Sequence, residues 1–302
     1  MISAEKPQVA DTGLDDIVAR APIRIGSVIL LVRDLDRVAR FYRDVIGLEQ
    51  IVRDGHTLHL GVEGRVLISL RHDPNAAPNS PHGAGLHHIA FLLSSRNDLG
   101  AWVRHALRLG TRFTGASDHL VSEAIYLNDP EDNGIEIYAD RASSTWPRIR
   151  DVIQMGSTPL ELGELAMSTT RTWSGMPADG TIGHIHLRVG DVHFSDQFYG
   201  ELLGFKINAT VPTARFYATG GYHHQIAGNL WHSAGAGTRP EGTAGLAEFE
   251  LLLSEPETVA AIAVRLTDAG RPSLVNEGRL ITFDPYNIRL RMTCAPTARE
   301  PQ

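Results

Sequence analysis

From Thr181 the chain alternates, with His184, His186 and Arg188 on one side of an extended strand and Ile185, Leu187 and Val189 on the other. The period then becomes helical. Val192, Phe198, Leu202 and Leu203 form an apolar stripe, Asp191 stands at the N-cap position and Gly204 where a helix stops. Residues 24–48 repeat this pattern at a constant offset: Gly26 stands for Gly183, Asp34 for Asp191, Phe41-Tyr42 for Phe198-Tyr199 and Gly47 for Gly204. Internal similarity of this kind sets the architecture, and here it indicates a tandem duplication.

Within the first copy the pattern predicts a strand at 28–32 and a helix that turns Leu35, Val38, Phe41, Val45 and Ile46 inward. Short strands follow near 49–53, 57–61 and 66–71, separated by the hairpin signals Asp54-Gly55 and Glu63-Gly64. The unit is therefore βαβββ. A loop at 73–85 precedes a restart: a strand at 86–94 and a helix from about Asp98 with Leu99, Trp102, Val103, Ala106 and Leu107 inward. Gly110 ends that helix, and strands follow around 111–113, 124–127 and 134–138. A third unit covers about 182–234. The fourth opens at Gly245-Leu246, carries Val259, Ile262, Ala263 and Leu266 on its helix before Gly270, and ends in a strand at 288–292. Asp284-Pro285 echoes Asp129-Pro130. The expected fold is α+β, with four βαβββ modules in two tandem domains. Residues 1–22 form a lead-in with a short helix near 14–19, 23–140 the first domain (modules one and two), and 181–294 the second (modules three and four). Between them, 141–180 is a Ser-, Thr-, Pro- and Gly-rich connection, part of which packs across the surface.

Composition narrows the function. The 302 residues, 42% of them apolar, suffice for two ordinary domains. A net charge of -7 argues against a nucleic-acid partner. The single cysteine, Cys294, excludes an internal disulfide and suits a reducing cytoplasm. The start M-I-S-A-E-K-P-Q-V-A-D lacks a basic stretch followed by an apolar one, so no secretory signal is expected and a cytoplasmic location is. No apolar run reaches the roughly 18–20 residues that span a bilayer, so no membrane partner is expected. Fourteen histidines beside one cysteine point to nitrogen and oxygen as the donors for any metal.

The runs G-H-I-H-L-R-V-G-D with F-Y-G-E-L-L-G-F, G-L-H-H-I-A-F-L-L, and D-P-E-D-N-G-I-E-I-Y resemble the vicinal oxygen chelate superfamily of glyoxalases, bleomycin-resistance proteins and extradiol dioxygenases. The resemblance covers residues 24–293. More narrowly, A-D-R-A-S-S-T-W-P-R and G-G-Y-H-H-Q-I-A-G-N-L-W resemble the short, four-module bacterial catechol 2,3-dioxygenases. Such a fold implies glyoxalase-like domains in which two units close a cup, with metal ligands on the first and last strands of a unit. Laying the four units over one another puts Ser27, His88, His184 and Glu248 in the first-strand slot, and Glu136 and Arg291 in the last-strand slot of units two and four. Units two and three thus supply His88, Glu136 and His184. These are the two imidazoles and one carboxylate that hold Fe(II) with three positions open, and Mn(II) suits the same donors. The set is complete only if unit two faces unit three. Units one and four would then form a cup without a metal, where Glu248 and Arg291 neutralise each other. His87, one residue from His88, is expected on the opposite strand face in a structural role.

The same resemblance implies further roles. Tyr126, ten residues before Glu136, would hydrogen-bond a substrate oxygen, and His224 would be the acid–base group, with His223 as the alternative. His119, beside Asp118, would support that pocket. Phe216, Tyr217 and Trp231 are candidate walls for an aromatic substrate. The expected activity is non-haem Fe(II) extradiol cleavage of catechol or a substituted catechol by O2. One rival is a metal-dependent glyoxalase-like lyase, isomerase or epimerase, which would want a fourth protein ligand. The other is a non-enzymatic binding protein of the bleomycin-resistance kind, which would need none of these residues. Exposed sheet edges would suit a homo-oligomer.

Overall fold

The protein is described by a computed structural model that covers residues 16–150 and 152–295. The expected lead-in lies outside the described residues except for its end, where one helical turn, Asp16–Ala19, falls within the helix expected near 14–19. Module one follows as β1 (Ile23–Val32), α1 (Leu35–Asp44), β2 (Glu49–Asp54), β3 (Thr57–Val62) and β4 (Arg65–His72). Module two is β5 (Gly85–Leu92), α2 (Arg96–Arg108), β6 (Phe113–Asp118), β7 (Ser122–Asn128) and β8 (Gly134–Asp140). The connection adds β9 (Arg148–Ile149), β10 (Val152–Ile153), β11 (Thr158–Pro159) and α3 (Leu162–Met167). Module three has β12 (Thr181–Arg188), a helix over residues 192–202 (α4), β13 (Lys206–Val211), β14 (Ala214–Ala218) and β15 (Ile226–Asn229). Module four has β16 (Gly245–Leu253), α5 (Pro256–Asp268), β17 (Ser273–Asn276), β18 (Arg279–Phe283) and β19 (Arg289–Cys294).

Local chemistry explains these boundaries. Asp34, Ser95 and Asp191 cap α1, α2 and α4 by accepting hydrogen bonds from the amides of Arg37, Asp98 and His193. Gly47 and Gly204 follow α1 and α4 at φ +83° and +86°, where a side chain would be strained. β1 begins earlier than its apolar run suggests, because Ile23, Arg24 and Ile25 already pair with Leu253, Leu252 and Leu251. One helix departs from expectation. After a single α turn at Val192–Ser195, α4 widens into a π-helix over Asp196–Leu202. The wider turn buries Phe198 and Tyr199 together, and the Tyr199 hydroxyl donates to Asp284 of module four at 3.0 Å. Module one repeats the device, with Tyr42 donating to Asp129 of module two.

Two sheets result. One runs β17-β18-β19-β16-β1-β4-β3-β2 and joins modules four and one; the other runs β11-β6-β7-β8-β5-β12-β15-β14-β13 and joins modules two and three. The first strands of paired modules form each seam, antiparallel: β1 on β16, and β5 on β12. A continuous apolar core containing Val28, Phe91, Ile185 and Phe249 ties all four modules together. The connection is more structured than a surface crossing. β11 pairs with β6. α3 packs so close to α2 that a Cβ on Gly100 would lie 2.6 Å from the Leu165 carbonyl. Trp146 is buried against Tyr222 and His223.

Candidate metal centre

Register on three neighbouring strands assembles the first cluster. Ala90 of β5 lies opposite Glu136 of β8 on one side and opposite His184 of β12 on the other. Directly opposite residues share a face, and His88 shares it two residues earlier on β5. The small methyl group of Ala90 therefore leaves the middle of a row open, with three donors around it. His88 Nε2 approaches Glu136 Oε2 at 2.9 Å and His184 Nε2 approaches it at 3.2 Å. One donor atom from each residue lies within 4.8 Å of the other two, and all three residues are buried.

A divalent cation fits this set. Burial works against the Glu136 carboxylate, but His184 and His88 outweigh it and hold the group well below the usual range. Burial lowers His184 in turn, despite Glu136, which favours the neutral imidazole that ligates metals. His88 Nε2 is buried and makes no hydrogen bond, although a carboxylate oxygen lies within reach. Such an atom is costly unless it faces a partner such as a cation.

His87 is not on the opposite face. His186 pairs with His88 and Leu187 with Leu86, so His87 is the extra residue of a β-bulge. The bulge rotates it back to the cavity, where its Nδ1 lies 2.9 Å from His88 Nδ1. It thus orients a candidate ligand instead of standing apart from it. His87, His88 and His186 form a second convergent group, but its contacts are already made: His186 Nε2 accepts from the Asn229 amide at 2.9 Å.

These residues open onto a cavity of about 840 Å³. His224 reaches it with its ring centre 4.2 Å from that of His184 and tilted 47° to it. Behind it runs a directed chain. His223 Nε2 donates to Asp140 Oδ1 at 2.9 Å, leaving His223 Nδ1 to accept from His224 Nδ1 at 2.8 Å. The lone pair of His224 is thereby left on Nε2. Tyr138 and Tyr222 close the chain, with hydroxyls 2.8 Å apart and Tyr222 donating to Asp140 Oδ2. Burial, with help from His184 and His223, pushes the His224 imidazole well down from its ordinary value.

Tyr126 sits on the other flank. Burial, then the charge and hydrogen bond of Glu136, keep its phenol protonated. His119 Nε2 lies 2.6 Å from its hydroxyl, and His119 Nδ1 donates to the Gly156 carbonyl at 2.8 Å. Asp118 faces away and holds Arg141 through two 2.8 Å contacts. Phe216 and Trp231 line the cavity; Tyr217 does not, because it points to the core face and donates to Asp196 at 2.9 Å. Sequence reasoning missed His186, Asp140 and the wall supplied by residues 152–157 of the connection. Of these only His186 carried a signal, the alternation that puts it on the face of His184.

The counterpart cup holds no such set among the described residues. Arg291 Nε lies 3.1 Å from Glu248 Oε1 and Arg289 2.9 Å from Oε2, while Ser27 donates to Glu250.

The duplicated modules define the class: the chain belongs to the Glyoxalase/Bleomycin resistance protein/Dioxygenase superfamily, whose model matches residues 24–137 and 181–284. The chain is 36% identical over 269 residues to the catechol-2,3-dioxygenase of Bacillus subtilis (strain 168), an alignment that covers 87% of this chain and 94% of the relative. Two solved structures share the fold. A putative dioxygenase from Bacillus subtilis subsp. subtilis str. 168 superposes with a TM-score of 0.61 at 12% identity, over 91% of this chain and 86% of its own. Glyoxalase I from Zea mays gives 0.57 at 16% identity, over 92% and 94%.

Proposed function

We propose that the chain is a non-haem Fe(II) extradiol dioxygenase that opens the ring of catechol or a substituted catechol with O2. What carries this reading is the convergence of His88, Glu136 and His184 within a cavity that also receives His224 and Tyr126. Two imidazoles and one carboxylate grouped on one side would leave the far side of a six-coordinate cation to small molecules. When bound, the ion supplies the Lewis acidity and the redox chemistry that bring diol and O2 together. Mn(II) suits the same donors.

The protein's own groups then handle protons and position. His224, neutral and with its Nε2 lone pair free, takes the proton from a substrate hydroxyl and returns it later. Asp140 and His223 keep that lone pair on the cavity side. Tyr126 hydrogen-bonds the substrate oxygen by accepting from it, because its own proton is donated to His119 Nε2. The 36% identity to the catechol-2,3-dioxygenase of Bacillus subtilis (strain 168) supports the same reaction. A glyoxalase-like lyase would take a fourth protein ligand. Among the described residues no further acid or histidine joins His88, Glu136 and His184, except the imidazoles already tied to His88 and Asn229.

Protein purified without oxygen, loaded with Fe(II) and given catechol and then air, should turn yellow and consume one O2 per diol. His184→Ala should lose both the iron, measured by elemental analysis, and the colour. Iron-loaded protein that stays colourless and takes up no O2 overturns the reading. Consumption of a hemithioacetal in its place moves the assignment to a lyase.

A further inference from the structure

Beyond the ligand cluster the cavity is almost free of fixed charge. Among the described residues that line it, Glu136 is the only Asp, Glu, Lys or Arg, and its carboxylate belongs to the candidate metal centre. The remaining ionisable groups are imidazoles and one phenol. Three of these rings are held by neighbours: His87 by His88, His186 by the Asn229 amide and His224 by His223. Two nearby cations, Arg188 and Arg141, are engaged elsewhere. Arg188 follows His186 on β12, yet its guanidinium donates to the carbonyls of Gly83 and Ser80. Arg141 is paired with Asp118 and Glu123.

Apolar side chains stand on both sides, and the polar ones among them, such as Thr210, Gln154 and Ser157, carry no charge. Val211, Phe216 and Trp231 come from module three, and Val152, Ile153 and Met155 from the connection. At about 840 Å³ the cavity sits high in the range of roughly 300–1,000 Å³ that takes drug-sized ligands. A bare catechol ring fills only a small part of it. Charge balance points the same way. A divalent ion with Glu136 leaves one positive charge, which the diol cancels on losing a proton. A carboxylate on the substrate would then enter a pocket whose lining offers no Lys or Arg to pair with it.

We propose that the preferred substrate is an uncharged catechol bearing an apolar substituent, seated between Phe216 and Trp231 on one side and Ile153 and Met155 on the other, and that catechols with a carboxylated side chain are rejected. This rests on the ring-cleaving reading above and adds the substrate class to it.

The test compares 4-isobutylcatechol with 3,4-dihydroxyphenylacetate, which match in shape and differ in charge, on the iron-loaded full chain. The expected result is a kcat/KM ratio of roughly 100-fold or more in favour of the alkyl diol. Val152→Arg, at the half-exposed rim, should narrow that ratio at least about tenfold by supplying the missing cation. Equal or better turnover of the carboxylate by the wild type overturns the proposal. So does a ratio that Val152→Arg leaves unchanged, since the discrimination would then have another origin. Should neither diol be cleaved, the ring-cleaving reading fails by itself, and calorimetric binding of the same two diols to iron-loaded protein decides the substrate class: tighter alkyl binding supports it, equal binding sinks it.

Discussion

At the scale of single residues, Ala90 decides whether three donors can meet. It lies between Glu136 and His184, and any larger side chain on that face would occupy the space they share. Ala90→Leu should therefore weaken divalent-ion binding at least about tenfold, with overpacking costing about 1–3 kcal/mol of stability. Metal titration alongside thermal denaturation separates the two effects. Asp140 acts at one remove, by holding the protonation pattern of His223 and hence of His224. Asp140→Ala should lower kcat roughly tenfold or more while iron content and KM stay close to wild type. Loss of iron in that variant would show that Asp140 supports the fold instead of the proton path. The candidate ligands could be read from sequence because the repeat aligns equivalent slots. The face of His87 could not, because a bulge of one residue inverts every inference from alternation and leaves no mark in composition. Tyr217 misled for the reverse reason: its neighbour Phe216 takes the cavity face, so Tyr217 must take the core.

At the scale of elements, two matched turns hold each half together. Asp129 Oδ1 accepts from the amides of Glu131 and Asn133, and Asp284 Oδ1 from those of Tyr286 and Ile288. Each turn sits just before a last strand, β8 or β19, and each carboxyl also receives a tyrosine from the preceding module. Burial raises both carboxyls from 3.8 to about 6 against these hydrogen bonds. Raised carboxyls stabilise the fold below the unfolded value and lose that contribution as pH climbs through the folded one. Between about pH 4 and 6 each should remove about 1.4 kcal/mol of stability per pH unit. Urea unfolding across that window should show the decline, and Asp129→Asn with Asp284→Asn should flatten it while lowering stability at every pH. In sequence the Asp-Pro echo served only as a landmark for aligning modules two and four; the structure gives its reason, since Pro cannot continue a ladder and Asp accepts from amides two and four residues on. The π-helix was invisible, because its stripe of Val192, Phe198 and Leu203 fits a helix of either pitch. The connection was underestimated because two-residue strands such as β9, β10 and β11 are too short to show a period.

At the scale of the whole molecule, neither half of the chain owns either large sheet. The seam of one is β5 against β12, and that of the other β1 against β16, so every central ladder joins residues from opposite halves. The repeat alone foretold four modules, but their pairing followed only from asking where an ion could find three ligands. His88 and Glu136 come from one half and His184 from the other. The consequence is testable by cutting the chain at Thr172, an exposed position in the connection. Expressed separately, residues 1–172 and 173–302 would each present two unpaired seam strands lined by core residues such as Phe91 or Ile185, and each should aggregate or remain unfolded. Expressed together they should associate, restore cooperative unfolding and bind one divalent ion per pair. Pairing across such sequence distances closes large loops, so the intact chain should also refold slowly, with the metal centre among the last features to form. A first half that folded alone and bound the ion with native affinity would show that His184 is dispensable, and the centre would then have to be rebuilt from His88, Glu136 and a donor other than His184.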